Sequence, residues 1–278
     1  MPYINFNGNI YPEHEALLPV SNRAFKYGDG FFESMAMFNK KVPLMHYHWS
    51  RMEFTAQVLS AFLPSKLDAD SLESMLLDLA SVNDVAKNAR VRMQFYRKGS
   101  GLFLPEEDEL GYAITLDKID YSKFEPGDGL TAGMRDDCYK AVSMISDIKN
   151  SSALAYVLAT QFARAEGWDE CILTNHYGQV CEGLTSNIFL VKGDRLITPD
   201  LDSGCVNGVM RSYLLWMMED KTEEREVDVA ELLDAEEILL VNAVKGIQWV
   251  KEFQRKTYPG KKAAELTAML NEKLMIGK

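Results

Sequence analysis

Three stretches of this chain combine residue types and spacing that could do chemistry. Lys149 stands between a β-like run and a helix with serines at its start, a junction where side chains commonly point into a site. A lysine amine forms a Schiff base with a carbonyl compound when burial or a nearby cation lowers its pKa. By position alone, the plainer reading of Lys149 is one more solvated lysine. Glu182 ends a β-like run and precedes the small polar loop Gly183-Leu-Thr-Ser-Asn187, where a carboxylate is ordinarily a turn or cap residue. Ser203-Gly-Cys-Val-Asn-Gly-Val-Met210 leads into a helix whose first N–H groups lack intrahelical partners and attract anions. The loop has neither the Gly-Lys-Ser/Thr of a Walker loop nor a G-x-G-x-x-G after a strand. Arg51 is a second candidate phosphate clamp, its plainer reading being a surface partner of Glu53 or Asp68.

Their order along the chain says more than any one of them. A lysine, then a carboxylate, then an anion-binding helix start is the equipment for pyridoxal 5′-phosphate. The amine takes the aldehyde, the acid keeps the pyridine nitrogen protonated, and the helix end takes the phosphate. Metal chemistry has weaker support. His46-x-His48 reads as two polar residues at a helix entrance, and the four cysteines (Cys138, Cys171, Cys181, Cys205) show no zinc or redox spacing.

The elements that must position these residues can be read from periodicity. Tyr3–Phe6 and Ile10-Tyr11 flank Asn7-Gly8, a hairpin signal. Phe31–Phe38 reads as a strand bounded by Asn39-Lys40-Lys41. Helices are expected from His46 to about Leu63 and from Asp70 to Ala80. Arg90–Arg97 alternates, with Val91, Met93 and Phe95 on one face and Arg92, Gln94 and Tyr96 on the other. Residues 121–130 collect turn formers and form the expected linker. A strand is expected at Ala141–Ser146. Then comes a helix capped by Ser151 or Ser152, with an apolar face of Leu154, Val157, Leu158, Phe162 and Ala165, closed by Gly167. Hairpins are expected over Cys171–Glu182 and Asn187–Thr198, a helix after Gly208, a strand at Ile238–Val241, and a charged helix at the end.

The 278 residues exceed one typical domain. A hydrophobic share of 47% is that of a folded protein, and the net charge of −11 argues against a nucleic-acid partner. The first twenty residues lack the basic start and apolar run of a signal peptide, and no stretch reaches the length of a membrane span. A cytoplasmic protein with reduced thiols, acting on small molecules, is expected.

The chain resembles the class IV aminotransferases, the pyridoxal-phosphate enzymes of fold type IV. That family includes branched-chain aminotransferases, D-amino acid aminotransferases and 4-amino-4-deoxychorismate lyases. The matching blocks are Arg23–Glu33, His48-Trp-Ser-Arg51, Asp147-Ile-Lys149, Glu182-Gly183 with Ser186–Phe189, Gly208-Val-Met-Arg211 and Val241–Ile247, in the family's order. The resemblance implies an α/β and α+β fold of two domains. A smaller N-terminal one covers 1–120, a linker 121–130, and a larger one carrying the lysine 131–278, with the cofactor in the cleft between domains. It also implies a homodimer whose sites borrow a loop from the partner.

Residue by residue, Lys149 would bind the cofactor aldehyde and then shuttle the proton. Glu182 would pair with the pyridine nitrogen. Arg51 and the N–H groups of Val209 and Met210 would hold the phosphate, and Val206 would pack on the ring. Gly208, Asn242 and Ala243 complete the cofactor positions, while Tyr27, Phe32 and Arg92 would face the substrate. Met210 and Ala243 stand where many members and branched-chain enzymes, respectively, carry threonine, so two hydroxyl contacts are lost. Ser152 stands at a position that is often Asn. The loop Lys98–Pro105 lacks the Arg-x-His pair of D-amino acid aminotransferases. Arg92 matches the branched-chain enzymes, whereas Asn242-Ala243 matches the lyases. The expected activity is amino transfer between an amino acid and a 2-oxo acid. The lyase giving 4-aminobenzoate and pyruvate is the alternative, and a noncatalytic small-molecule binding protein the remote one.

Overall fold

The computed structural model describes residues 2–15 and 18–277, Asp136 by its backbone only. The chain forms two compact units. One contains Met1–Ser122 with Ile148–Ser152, the other Lys123–Asp147 with Ala153–Lys278. The sequence division assigns Lys149 to the C-terminal part, yet the five-residue segment around it packs with the first unit.

The first unit runs β1 (Tyr3–Phe6), β2 (Asn9–Pro12), α1 (Arg23–Tyr27), β3 (Gly30–Met37), α2 (Met45–Val58), α3 (Ala69–Val82), β4 (Ala89–Arg97) and β5 (Leu110–Lys118). Its antiparallel sheet has the order β2-β1-β5-β4-β3. Alternation divides its faces as expected. Val91, Met93 and Phe95 are fully buried with Phe31, Met35 and Met37 beneath α2 and α3, against Met52, Leu72, Leu76 and Leu79. Arg92, Gln94 and Phe32 occupy the other face, half-buried. A reciprocal cap starts α3: Ser71 N–H donates to Asp68 Oδ1 at 2.7 Å and Asp68 N–H to Ser71 Oγ at 2.9 Å. Helix α2 stops short of the expected Leu63, because the chain turns at Ser60 with φ +49°. Leu59 and Leu63 still pack on the core from outside the helix.

β3 is the sheet's edge, and residues 149–151 lie along it. Phe32 N–H donates to Lys149 O at 3.1 Å and Ser151 N–H to Gly30 O at 3.0 Å, around an antiparallel bridge between Phe31 and Asn150. Lys149 is therefore mounted as a short added strand, which satisfies β3 backbone groups that an open edge would expose. Glycine is required at position 30, where a Cβ would overlap Phe95 O.

The second unit runs β6 (Leu130–Lys140), α4 (Leu154–Glu166), β7 (Glu170–Asn175), β8 (Val180–Glu182), β9 (Asn187–Lys192), β10 (Arg195–Pro199), α5 (Val209–Met217), β11 (Thr222–Arg225), α6 (Val229–Asp234), β12 (Glu237–Asn242), β13 (Gly246–Phe253), β14 (Lys256–Thr257) and α7 (Lys261–Lys273). Its mixed sheet has the order β11-β10-β9-β12-β13-β6-β7-β8, with β14 on β13. Ile172, Val180, Ile188, Leu190, Ile238, Leu240, Val250 and Phe253 fill its main core.

Three expectations are corrected here. The strand placed at Ala141–Ser146 lies earlier, as β6. Residues 141–146 form a turn tied by Ser146, whose Oγ donates to Ala141 O at 3.0 Å and accepts from Ser143 N–H at 2.6 Å. The cap of α4 is Ala153 without a side-chain bond, because Ser151 is engaged on the first unit's sheet. The buried side of α4 is Ala159 and Ala163, with Tyr156 and Phe162 packed beside them. Leu154, Val157 and Leu158, expected inside, are exposed. Small residues let a helix lie close to a sheet, and that closeness decided the face. Among the described residues no helix is long and apolar enough to cross a membrane.

Candidate active site

In the first unit, one phenyl ring gathers two cations. The guanidinium carbon of Arg92 lies 3.9 Å from the centroid of Phe32, and Lys149 Nζ lies 4.5 Å from the same centroid. The register explains the meeting: Phe32 pairs with Gln94 and Ser34 with Arg92 across β3 and β4, while Lys149 runs beside β3. Burial, and then the charge of Arg90, lower the pKa of Arg92, yet a guanidinium stays protonated at any physiological pH. Tyr27, at the end of α1, packs its ring 5.7 Å from that of Phe103.

Arg51 has a partner the sequence did not suggest. Its Nε and Nη2 donate to Glu33 Oε1 and Oε2, each at 2.7 Å, and His48 Nδ1 lies 2.8 Å from Glu33 Oε2. Glu33, not Glu53 or Asp68, is the carboxylate that orients it. Burial of Glu33 opposes its charge, but the Arg51 guanidinium and the His48 contact outweigh that and hold its pKa down at about 2. Burial lowers the pKa of His48 and keeps the ring neutral. The fork fixes Arg51 against the sheet. Among the described residues no cluster of three metal-ligating side chains includes His46 or His48.

In the second unit, Glu182 is 4% exposed at the end of β8, and three donors hold it. Lys140 Nζ and the Tyr156 hydroxyl donate to Oε1, each at 2.5 Å, and Val206 N–H donates to Oε2 at 2.9 Å. Lys140 also donates to Ser146 O at 2.9 Å, so the tight turn aims the ammonium. Burial and the Glu182 charge push the Tyr156 phenol far above its ordinary range, so it remains a donor. A carboxylate offers about four acceptor directions, which leaves room on Oε2 for one more N–H.

Helix α5 starts at Gly208 with no side-chain cap, so its first N–H groups, at Val209 and Met210, belong to an end suited to an anion. A Cβ on Gly208 would overlap Asn187 Oδ1, and Asn187 Nδ2 in turn donates to Val206 O at 2.7 Å. Arg211 ties the helix to the sheet through Pro199 O at 2.9 Å and Glu224 Oε2 at 2.6 Å. Asn242 donates to Ser186 Oγ at 3.0 Å and accepts from the N–H groups of Val244 and Lys245, which shapes the turn containing Ala243. Val206 thus reaches Glu182 through its backbone, and Asn187 links Val206 to Gly208. The supporting residues Glu33, His48, Gln94, Lys140 and Tyr156 escaped sequence reading. Glu33 and His48 lie inside matched blocks and alternation set Gln94 on the face of Arg92, whereas nothing in the sequence marked Lys140 or Tyr156.

The family model for class IV amino-transferases matches residues 30–253. A probable branched-chain-amino-acid aminotransferase of Synechocystis is 24% identical over 94% of this chain and 88% of its own length. The aminodeoxychorismate lyase of Bacillus subtilis is 28% identical over 96% of this chain and 92% of its own. Among solved structures, the branched-chain aminotransferase of Thermoproteus uzoniensis with norvaline superposes with a TM-score of 0.87 at 22% identity, covering 99% of this chain and 95% of that one. The branched-chain amino acid aminotransferase of Thermobaculum terrenum in its PLP form gives 0.83 at 22% identity, covering 98% and 93%. The mixed helix and sheet fold is that of the fold type IV enzymes.

Proposed function

The chain belongs to the class IV amino-transferases, and from that premise we propose that it is a cytoplasmic, pyridoxal phosphate-dependent enzyme moving an amino group between an amino acid and a 2-oxo acid, with branched-chain-like substrates. The observation that carries this reading is the pairing of Lys149 Nζ and the Arg92 guanidinium on one Phe32 ring. An amine able to accept and return the Cα proton then shares one aromatic ring with a cation able to hold the carboxylate on the same carbon.

The residues fit the cofactor. Glu182 has an acceptor direction left for a protonated ring nitrogen, and the uncapped start of α5 suits a phosphate. When bound, pyridoxal phosphate supplies an aldehyde for amines and a ring that takes up the electron pair released at Cα. Lys149 would hold that aldehyde through its amine and would supply or accept the proton at Cα. Glu182 would hold the proton at the ring nitrogen, its own charge supported by Lys140 and Tyr156. Val209 and Met210 N–H, and Arg51 oriented by Glu33, would be the groups to hold the phosphate. Val206 would pack on the ring, Asn242 and Ala243 would serve the phosphate end, and Tyr27 and Phe32 would serve the substrate side.

Borohydride treatment of the cofactor-loaded protein is expected to fix a pyridoxyl group on Lys149, located by peptide mapping. Purified enzyme is expected to form keto acid from branched-chain amino acids. A tag elsewhere, or no keto acid from any donor, overturns the reading. One feature favours the lyase as second reading: Asn242-Ala243 as in the lyases, in a chain 28% identical to one of them. Incubation with aminodeoxychorismate decides, since only the lyase releases 4-aminobenzoate.

The same reading includes a homodimer. Leu102, Phe103 and Leu104 are 75%, 89% and 84% exposed, on a loop whose backbone Arg23 holds through Leu102 O and Phe103 O. A braced apolar tip of this kind suits a protein partner. Light scattering is expected to give twice the chain mass, and less for Leu102→Ser/Phe103→Ser. A wild-type monomer overturns it.

A further inference from the structure

The polar face of the first unit's sheet contains one side chain that touches both mounts of the Phe32 pair. Gln94 Oε1 accepts from Arg92 Nη2 at 3.0 Å. Its Nε2 donates to Ser151 Oγ at 2.7 Å, to Phe31 O at 3.0 Å and to Phe95 O at 3.2 Å. The orientation of the amide is unambiguous, because the two backbone carbonyls can only accept and the guanidinium can only donate. An amide turned the other way would set oxygen against two carbonyls and NH₂ against a cation.

Every polar atom of Gln94 is therefore committed, and the two ends go to different chain segments. One end steadies Arg92 against the Phe32 ring. The other grips Ser151, two residues from Lys149, where Ser151 N–H already bonds Gly30 O. We propose that Gln94 is a positioning residue that couples the carboxylate-holding arginine to the segment bearing the catalytic lysine, and so sets their spacing. Resting on the aminotransferase reading, the inference adds to it a residue that touches neither reacting group. An apolar side chain of the same length removes the side-chain tie to both segments at once, leaving the backbone bonds of residues 149–151 to β3 in place. Losing the Ser151 hydroxyl removes the tie to the lysine segment alone.

The test compares Gln94→Met, Ser151→Ala and the double variant in the cofactor-loaded enzyme. Three quantities are read: KM for the amino acid donor, the pH midpoint of the bound cofactor's absorption band, and the melting temperature of the cofactor-free protein. Loss of a hydrogen bond to a charged group corresponds to about tenfold in affinity, so Gln94→Met is expected to raise KM about tenfold. It is also expected to move the band midpoint by about half a unit. Ser151→Ala is expected to move the midpoint similarly while raising KM by less than Gln94→Met does. The double variant is expected to match Gln94→Met, because both changes break one link.

Midpoints that stay at the wild-type value, or shifts that add in the double variant, overturn the proposal. If melting shows that Gln94→Met does not fold, Ser151→Ala decides alone, and an unmoved midpoint overturns it. Arg92→Met separates the role of Arg92 from that of Gln94. An unchanged KM in that variant sinks the carboxylate assignment and this inference together, whereas a raised KM with additive Gln94 and Ser151 effects sinks this inference only.

Discussion

Two buried carboxylates show how environment sets charge at the level of single residues, and they titrate in opposite directions. Glu170 lies under the loop after Glu182, accepting N–H bonds from Leu184 at 2.7 Å and Cys171 at 2.9 Å. Burial dominates over those bonds and pushes its pKa up to about 7. A raised carboxylate contributes fully below its unfolded value near 4.5 and loses that contribution as pH rises through about 7. Glu170→Gln keeps the accepting oxygen and removes the charge. It is expected to stabilise the protein at pH 8 by about 3 kcal/mol and to change little at pH 5, read by urea unfolding at both. Glu33 behaves in the opposite sense. Held at about 2, its contribution is present above 4.5 and lost as pH falls towards 2. His48, neutral in the fold, takes up a proton more readily when unfolded, so acidification below 6.5 also favours unfolding. Glu33→Gln leaves Arg51 without its counter-charge and is expected to cost about 3 kcal/mol at pH 7. It should also flatten the decline of stability between pH 4.5 and 2, measured by thermal melts across that range.

Helices α4 and α5 illustrate what decides the placement of an element. The larger apolar residues of α4 point outward because Ala159 and Ala163 allow close approach to β6 and β7. Ala159→Leu is expected to cost about 1–3 kcal/mol by overpacking, in a helix where sequence pattern alone would call that change harmless. Denaturant unfolding checks it. In α5 the constraint is at the start, where Gly208 touches Asn187, and Asn187 holds Val206 beside Glu182. Gly208→Ala must displace that amide. It is expected to lower stability by about 2 kcal/mol and to weaken the stabilisation of the cofactor-free protein by inorganic phosphate. Melting curves with and without phosphate measure both effects.

On the scale of the whole molecule, the first unit is discontinuous in sequence. Its edge strand β3 is covered by residues 149–151, which follow the boundary at Ser122 by many residues. A fragment ending at Ser122 would expose Gly30 O and Phe32 N–H on an open edge, and such edges pair with other chains. That fragment is expected to aggregate, and addition of a peptide spanning 147–153 is expected to reduce aggregation, followed by light scattering. Full solubility of the fragment without the peptide would show that the cover is not needed.

Local chemistry made much of this protein legible without coordinates. The alternation of Arg90–Arg97 separated Val91, Met93 and Phe95 from Arg92 and Gln94, and turn formers marked the hairpins after Asn175 and Lys192. Lys149, Glu182 and the loop before α5 were singled out because a Schiff-base amine, a buried acid and an anion-binding helix start are the groups that such a cofactor would need, in blocks that resemble the family's. The tertiary structure alone decided what orients them. Glu33 reaches Arg51, Lys140 reaches Glu182, and Gln94 reaches Ser151 across sequence separations that carry no periodicity. It also turned α4 over and assigned the lysine segment to the first unit's sheet, because close packing and edge pairing depend on neighbours distant along the chain.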